Sequence, residues 1–333
     1  MTRAGFLFAA VIALTGGSLF SRTVYAGPLD DSFPARQNAI AAQPAESEQW
    51  PDNERERGPD RDPESATDAR PPKTLLEWMF GRNRHTNEKE EPEEERLEPD
   101  RPHLPEASTT VGKGRIVLES GYTFTGKGSS FSSHSYPEAL LRIGMFTDWL
   151  EFRIGQNFLS QERTLDGVRK SANGAQDLYL GVKLALTEQK QYLPQIALIP
   201  QLTVPTGSKA VTAGRVLPGL NVDCGWEVIK GRFNLELLVA ANRVADEGRR
   251  SHVELTTGLA GSFPLTRKLE GFVEWDAFYP VGTTASVTGP RHYAVAGFVY
   301  FFTKNFEMDI RAGIGLNGQA NDFLAGTGFA IRH

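Results

Sequence analysis

Acidic side chains recur at every second position of short apolar stretches in the last two thirds of the chain. Near the C-terminus, for example, Glu307 and Asp309 alternate with Phe306, Met308 and Ile310. Successive side chains of a β-strand point to opposite faces, so the carboxylates share one face and the apolar residues share the other. A charged face of this kind can filter dissolved solutes, or its charges can neutralise one another as ion pairs.

The same alternation assigns carboxylates and fewer basic residues to one face of each strand. We expect this face to line the inside of a barrel, where the excess of carboxylates favours neutral or cationic solutes over anions. An alternative, compatible with the first, is a network of ion pairs that fills a narrow bore. The predicted lining residues are Glu119, Glu138, Arg142, Glu151, Arg153, Asp177, Lys183, Asp223, Glu227, Glu236, Glu254, Glu270, Glu274, Asp276, Glu307, Asp309 and Arg311.

Hydrolytic chemistry would need a nucleophile next to a base. Adjacent Ser/His pairs occur at His134-Ser135 and Ser251-His252. Neighbours in a strand point to opposite faces, so neither pair forms a relay by itself. The single cysteine, Cys224, excludes an intramolecular disulfide. We therefore predict no enzyme activity and no catalytic, cofactor or metal site, and a membrane-embedded hydrolase is the remote alternative.

Twelve segments of the chain show strand alternation, each about as long as a tilted strand that crosses a bilayer. Short and long connections alternate between them, as is typical of bacterial outer-membrane barrels. We predict an all-β fold, an up-and-down antiparallel transmembrane β-barrel of about twelve strands, over residues 101–333. The predicted strands are 115–125, 135–145, 149–158, 176–187, 194–204, 218–228, 232–243, 252–263, 269–279, 291–302, 305–316 and 322–332. The longer, polar connections include 126–134, 160–175 and 206–217.

The N-terminal third has a different composition. Residues 1–26 have the basic start, short apolar stretch and small-residue cleavage site of a signal peptide. Residues 27–100 are rich in Pro, Glu, Asp and Arg, and a segment that can bury so little is expected to be a disordered linker in the periplasm. Within it, the apolar residues of 74–82 predict a short helix, which could be a transient helix, a partner site or a plug at the barrel mouth.

The net charge of −5 argues against nucleic acid as a partner. The expected partners are instead the lipid of the outer membrane, the barrel-assembly machinery and a small-molecule solute.

A series of short motifs resembles one family of outer-membrane barrels, labelled "putative MetA-pathway of phenol degradation" and often called transporters. The resemblance covers about residues 100–333. It implies a barrel that passes small aromatic or hydrophobic compounds, and it implies no catalytic residues. The chain departs from the family pattern in ending at His333 rather than at an aromatic residue, and we expect assembly to proceed despite this. The motifs are DRPHLPEA (100–107), TVGKG (110–114), LESGY (118–122), PEALLRIG (137–144), WLEFRIG (149–155), DLYLGVK (177–183), VPTGS (204–208), PGLN (218–221), RAGIGLN (311–317) and DF (322–323).

The sequence thus favours a passive channel or transporter for small molecules. The main alternative is a closed structural or tethering barrel, whose bore is filled by ion pairs and whose acidic linker acts as a spacer.

Overall fold

The computed structural model describes residues 72–81, 96–165, 167–246, 250–283 and 289–333. The predicted signal peptide (1–26) and most of the predicted linker lie outside the described residues. One helix, α1 (Leu75–Phe80), falls within the range 74–82 for which the sequence predicts a helix. No helix among the described residues is long and apolar enough to cross a membrane.

Fifteen strands form one sheet. Twelve of them, β1, β3, β4 and β7 to β15, follow one another as antiparallel neighbours, and β15 pairs with β1 to close the ring. The predicted twelve-stranded barrel is confirmed. The strands are β1 (Ile116–Lys127), β2 (Phe131–Ser135), β3 (Ala139–Gly144), β4 (Leu150–Gln156), β5 (Phe158–Leu165), β6 (Val168–Ala175), β7 (Leu178–Thr187), β8 (Gln195–Val204), β9 (Leu217–Ile229), β10 (Phe233–Asp246), β11 (Arg250–Pro264), β12 (Leu269–Val281), β13 (Arg291–Thr303), β14 (Phe306–Gly315) and β15 (Phe323–Arg332).

The remaining strands, β2, β5 and β6, extend the wall beyond one end of the ring. β2 pairs with the end of β1, β5 pairs with β2, and β6 pairs with β5. The expectation of loops at 126–134 and 160–175 was therefore wrong. These segments are polar because water contacts much of both faces of the extension. A strand that is polar on both faces lacks the alternation of apolar and polar residues by which strands are recognised in a sequence.

The two ends of the barrel differ. The short-turn end carries the connections 145–149, 188–194, 230–232, 265–268 and 304–305. The long-loop end carries the extension and the connections 205–216, 282–290 and 316–322. Because antiparallel neighbours alternate in direction, each end collects every second connection.

The wall has an apolar outer face and a charged inner face. In β14, Ile310 and Ile314 are 57% and 56% exposed, whereas Glu307 and Asp309 are almost completely buried. An exposed apolar band around a closed sheet is characteristic of a barrel that lipid surrounds.

Candidate functional site

Residues 97–111, here called the bore segment, lie inside the ring before the first strand begins. Leu97 N donates to Lys304 O (2.9 Å) and Lys113 N donates to Asp148 Oδ1 (2.8 Å), so the chain enters and leaves the bore at the short-turn end. Residues 100–108 are all buried.

The boundary predicted between linker and barrel, at residue 100, lies within the bore segment. The segment has neither the alternation of a strand nor the periodicity of a helix, so no local pattern marks it. It is ordered by contacts with residues that are distant in the sequence.

Three cations surround Asp100 in the bore. Its carboxylate contacts Lys183 (2.7 Å), Arg153 (2.7 Å) and Arg142 (3.2 Å), which project from β7, β4 and β3. Burial alone would raise the pKa of Asp100, but these three cations outweigh burial and hold its pKa below the ordinary value. Arg142 also contacts Glu151 (2.8 Å). The cluster joins the bore segment to three neighbouring strands.

Arg101 makes a second set of contacts on the opposite side of the segment. Its guanidinium donates to Asp309 of β14 (3.1 Å) and to Glu138, just before β3 (2.9 Å). A guanidinium that bonds two carboxylates is a directional, charge-assisted contact. The strand order here is β14-β15-β1-β3, so the contacts of Asp100 and Arg101 join strands on both sides of the β15–β1 closure.

Four wall carboxylates accept hydrogen bonds from the backbone of the bore segment. Glu119 accepts from the N–H groups of Asp100 (3.0 Å) and Arg101 (3.1 Å). The other three are Glu151, Asp223 and Glu274, which accept from Val111 N (2.9 Å), Glu106 N (2.9 Å) and Leu104 N (3.0 Å). Carboxylates predicted to face a passing solute thus bind the protein's own chain.

Asp177 holds a loop at one end of the barrel. It lies at the break between β6 and β7, where it accepts hydrogen bonds from Gly207 N (3.0 Å), Thr212 Oγ1 (2.6 Å) and Ala213 N (2.9 Å). It fixes the 205–216 loop at the long-loop end, where Val211 packs in an apolar cluster with β5 and β6.

The other predicted lining residues are spread along the wall. Glu227 lies near the end of β9, where it is exposed and accepts a hydrogen bond from Gly231 N of the β9–β10 turn (2.6 Å). Three carboxylates on the inner wall have a basic neighbour: Glu236 lies near His103 (3.7 Å), Glu254 pairs with Arg291, and Glu270 pairs with Arg96 (3.2 Å). Arg311 donates a hydrogen bond to Thr123 (2.9 Å). Asp276 and Glu307 are buried on the same wall.

An apolar cluster inside the bore was not predicted from the sequence. Phe272, Phe278 and Tyr293 point inward from β12 and β13, and Leu104 of the bore segment packs in the same cluster. His103 lies against Phe272, with ring centroids 4.3 Å apart. The signal was present, since Phe272 and Phe278 share the parity of Glu274 and Asp276 on β12. Both faces of β12 carry apolar residues, so alternation along this strand does not show that some of them point into the bore.

A cavity of about 80 Å³ lies beside the charged contacts, next to the breaks in the wall. Leu140, Gly155 and Tyr179 are among its lining residues. Gln176, buried in the same lining, leaves its Nε2 without a hydrogen-bond partner. The space suits water or a small solute.

The sequence model of one family, "Putative MetA-pathway of phenol degradation", matches residues 99–333. The chain belongs to this family. The COG4313 outer membrane channel from Pseudomonas putida F1 has the same fold, with a TM-score of 0.57 at 13% identity over 69% of this chain and 99% of that one. Two other barrels are less similar. The translocator domain of NalP from Neisseria meningitidis has a TM-score of 0.41 at 11% identity (66% and 88% covered), and the KdgM porin 0.39 at 9% (65% and 98%). No curated protein matches the sequence.

The motifs by which the chain resembles the MetA-pathway family include the residues that bind the bore segment. The motif at 100–107 contains Asp100 and Arg101, the motif at 137–144 contains Arg142, and the motif at 177–183 contains Lys183. The family-like parts of this chain are therefore the parts that hold its bore together.

Neither Ser/His pair of this family member forms a relay. His134 Nδ1 lies 2.8 Å from Tyr122 Oη, and the Ser251 hydroxyl accepts a bond from Arg243 (3.3 Å). His252 faces Asp246 (3.6 Å) across a strand pair, away from Ser251.

Proposed function

We propose that the protein is an outer-membrane channel for passive passage of small molecules, and that small aromatic or hydrophobic compounds pass along the apolar cluster of its bore. In this proposal, lipid surrounds the barrel, the barrel-assembly machinery inserts it, and the short-turn end and the N-terminal segment face the periplasm.

One observation carries this proposal: an apolar cluster lies inside the bore, beside the ion pairs and the wall carboxylates. The ion pairs to Asp100 and Arg101 mean that a hydrated ion meets fixed charges that are already neutralised there. The apolar cluster places Phe278, Tyr293 and Leu238 on the same inner wall. Aromatic and aliphatic walls lower the free energy of an apolar solute relative to water.

The first test is uptake of the apolar dye 1-N-phenylnaphthylamine by cells that carry the protein in their outer membrane. We expect faster dye uptake than in cells without it, and Phe278→Asp should reduce the rate toward the background because it places a charge in the apolar cluster. Periplasmic hydrolysis of the hydrophilic nitrocefin serves as the leak control and should be the same for both proteins. If the dye rate does not depend on the protein, the proposed passage is excluded.

The second candidate is a closed structural barrel, which the bore segment itself favours because it contacts strands on all sides. The two candidates differ in the same assay: a closed barrel admits neither dye nor nitrocefin, and Phe278→Asp then has no effect on either rate.

A further inference from the structure

Helix α1 is almost entirely apolar, yet most of its side chains are exposed. Phe80 is 77% exposed, Trp78 60% and Met79 55%, and Glu77 is the only charged residue of the helix. Apolar surface concentrated in this way marks a contact with another molecule or with a membrane.

The helix is a defined element at a fixed place on the barrel. Thr74 caps its start by accepting a hydrogen bond from Glu77 N (3.2 Å), and Gly81 ends it with a φ of 76°. Trp78 packs against Trp149, with ring centroids 5.6 Å apart, and the helix lies beside β7. Trp149 belongs to the β3–β4 connection, so α1 sits at the short-turn end.

Other apolar residues are exposed at the same end. Phe146, in the connection that carries Trp149, is 66% exposed and packs against Phe152 on the outer face of β4 (6.3 Å between ring centroids). Tyr192, in the β7–β8 turn, is 93% exposed. The exposed face of α1 is thus continuous with the outer apolar face of the barrel through Trp149 and Phe146.

We infer that α1 lies in the membrane interface as an anchor, with Trp78, Met79 and Phe80 among the phospholipids of the leaflet at the short-turn end. Trp favours the headgroup level of a bilayer, and exposed apolar side chains beside it lower their free energy by leaving water for the acyl boundary. The anchor would hold the chain against the membrane just before residues 96–111 turn into the bore. The inference rests on the proposed membrane location of the barrel.

Fluorescence quenching in nanodiscs tests the inference on the full chain. In a Cys224→Ala background, Phe80→Cys carries an environment-sensitive fluorophore, and the nanodiscs contain phosphatidylcholine with or without brominated acyl chains. Val273→Cys, on the outer face of β12, is the lipid control, and Arg267→Cys, in the exposed β11–β12 turn, is the water control.

We expect brominated lipid to quench the probe at residue 80 by at least about half as much as the probe at residue 273, with little quenching by aqueous iodide. Trp78→Ser removes the contact with Trp149 and should shift the probe at residue 80 toward iodide. If iodide quenches the probe at residue 80 as it quenches the probe at residue 267, and brominated lipid does not, the inference that α1 is a membrane anchor is wrong. If lipid fails to quench the probe at residue 273, the membrane location itself is wrong.

Discussion

Lys183 Nζ lies 2.7 Å from Asp100 Oδ1, so an ion pair in the bore joins strand β7 to a segment that precedes the first strand. Both side chains are buried, with exposed fractions of 0% and 4%. Removing two charges from water is costly, and such a pair persists only where further partners satisfy it. Here Arg142 and Arg153 supply those partners, and the whole cluster depends on the bore segment being docked.

Arg101→Ala should loosen the bore segment. The substitution leaves Asp309 without its cation and leaves Glu138 with Arg311 alone, 4.0 Å away, and breaking a buried pair in this way costs about 3 to 5 kcal/mol. We expect larger and more frequent single-channel currents in planar bilayers. Arg169→Ala is the matched control, because the Arg169 side chain is 70% exposed and pairs only at the surface with Glu162. Equal currents from the two variants would show that Arg101 does not hold the segment.

Gly144→Ala should displace the bore segment without touching a charge. A Cβ at Gly144 would lie 1.8 Å from the Gly112 carbonyl oxygen, and a backbone atom cannot rotate away. Overpacking of this kind costs about 1 to 3 kcal/mol or more. We expect a barrel that still shows the folded gel mobility but conducts more than the wild type. Gly318→Ala, where a Cβ meets nothing within 4 Å, should conduct like the wild type, and the prediction is wrong if Gly144→Ala does too.

Asp177→Asn should release the 205–216 loop. The carboxylate accepts three hydrogen bonds from that loop. The Asn amide is neutral and has one acceptor oxygen, so it cannot keep all three bonds, and the lost bonds cost about 1 to 3 kcal/mol. We expect faster trypsin cleavage at the exposed Lys209 and Arg215 on intact cells. Asp322→Asn is the control, since Asp322 accepts a bond from Gly128 N in a different loop. Unchanged cleavage in Asp177→Asn would show that Asp177 does not fix the 205–216 loop.

The docking of the bore segment should be insensitive to mild acid. Asp100 belongs to this segment rather than to a strand, and its pKa is lowered when it is docked. A lowered pKa contributes stability above the undocked value of about 3.9, and this contribution is lost as pH falls below it. We expect bilayer conductance to be constant from about pH 7 to about pH 5 and to rise only below about pH 4. A rise at higher pH would mean that another group controls docking.

Much of the wall follows from the chain's local pattern. The alternation of Glu307 and Asp309 with Met308 and Ile310 gives the faces of β14, and similar patterns give the ring of twelve. The pattern fails where one face is not distinct from the other. It gave no sign of β5 and β6, which are polar on both faces, or of the inward Phe272 and Phe278 on β12.

For the predicted lining residues, the sequence predicts the direction of each side chain but not its contacts. Parity along a strand gives the side to which Glu119 or Arg142 points, because that depends only on neighbouring residues. What each side chain meets there depends on the rest of the molecule. Asp177 meets the 205–216 loop, and Glu227 meets Gly231 of the β9–β10 turn.

The chain's local pattern is enough to predict a closed antiparallel barrel, the two faces of most strands and the alternation of short and long connections, since each depends on period and length over about ten residues. No local pattern shows that residues 97–111 occupy the bore, or that wall carboxylates bind this segment instead of facing open water. The physical reason is distance along the chain. Asp100 and Lys183 are 83 residues apart, and only closure of the ring brings their charges together.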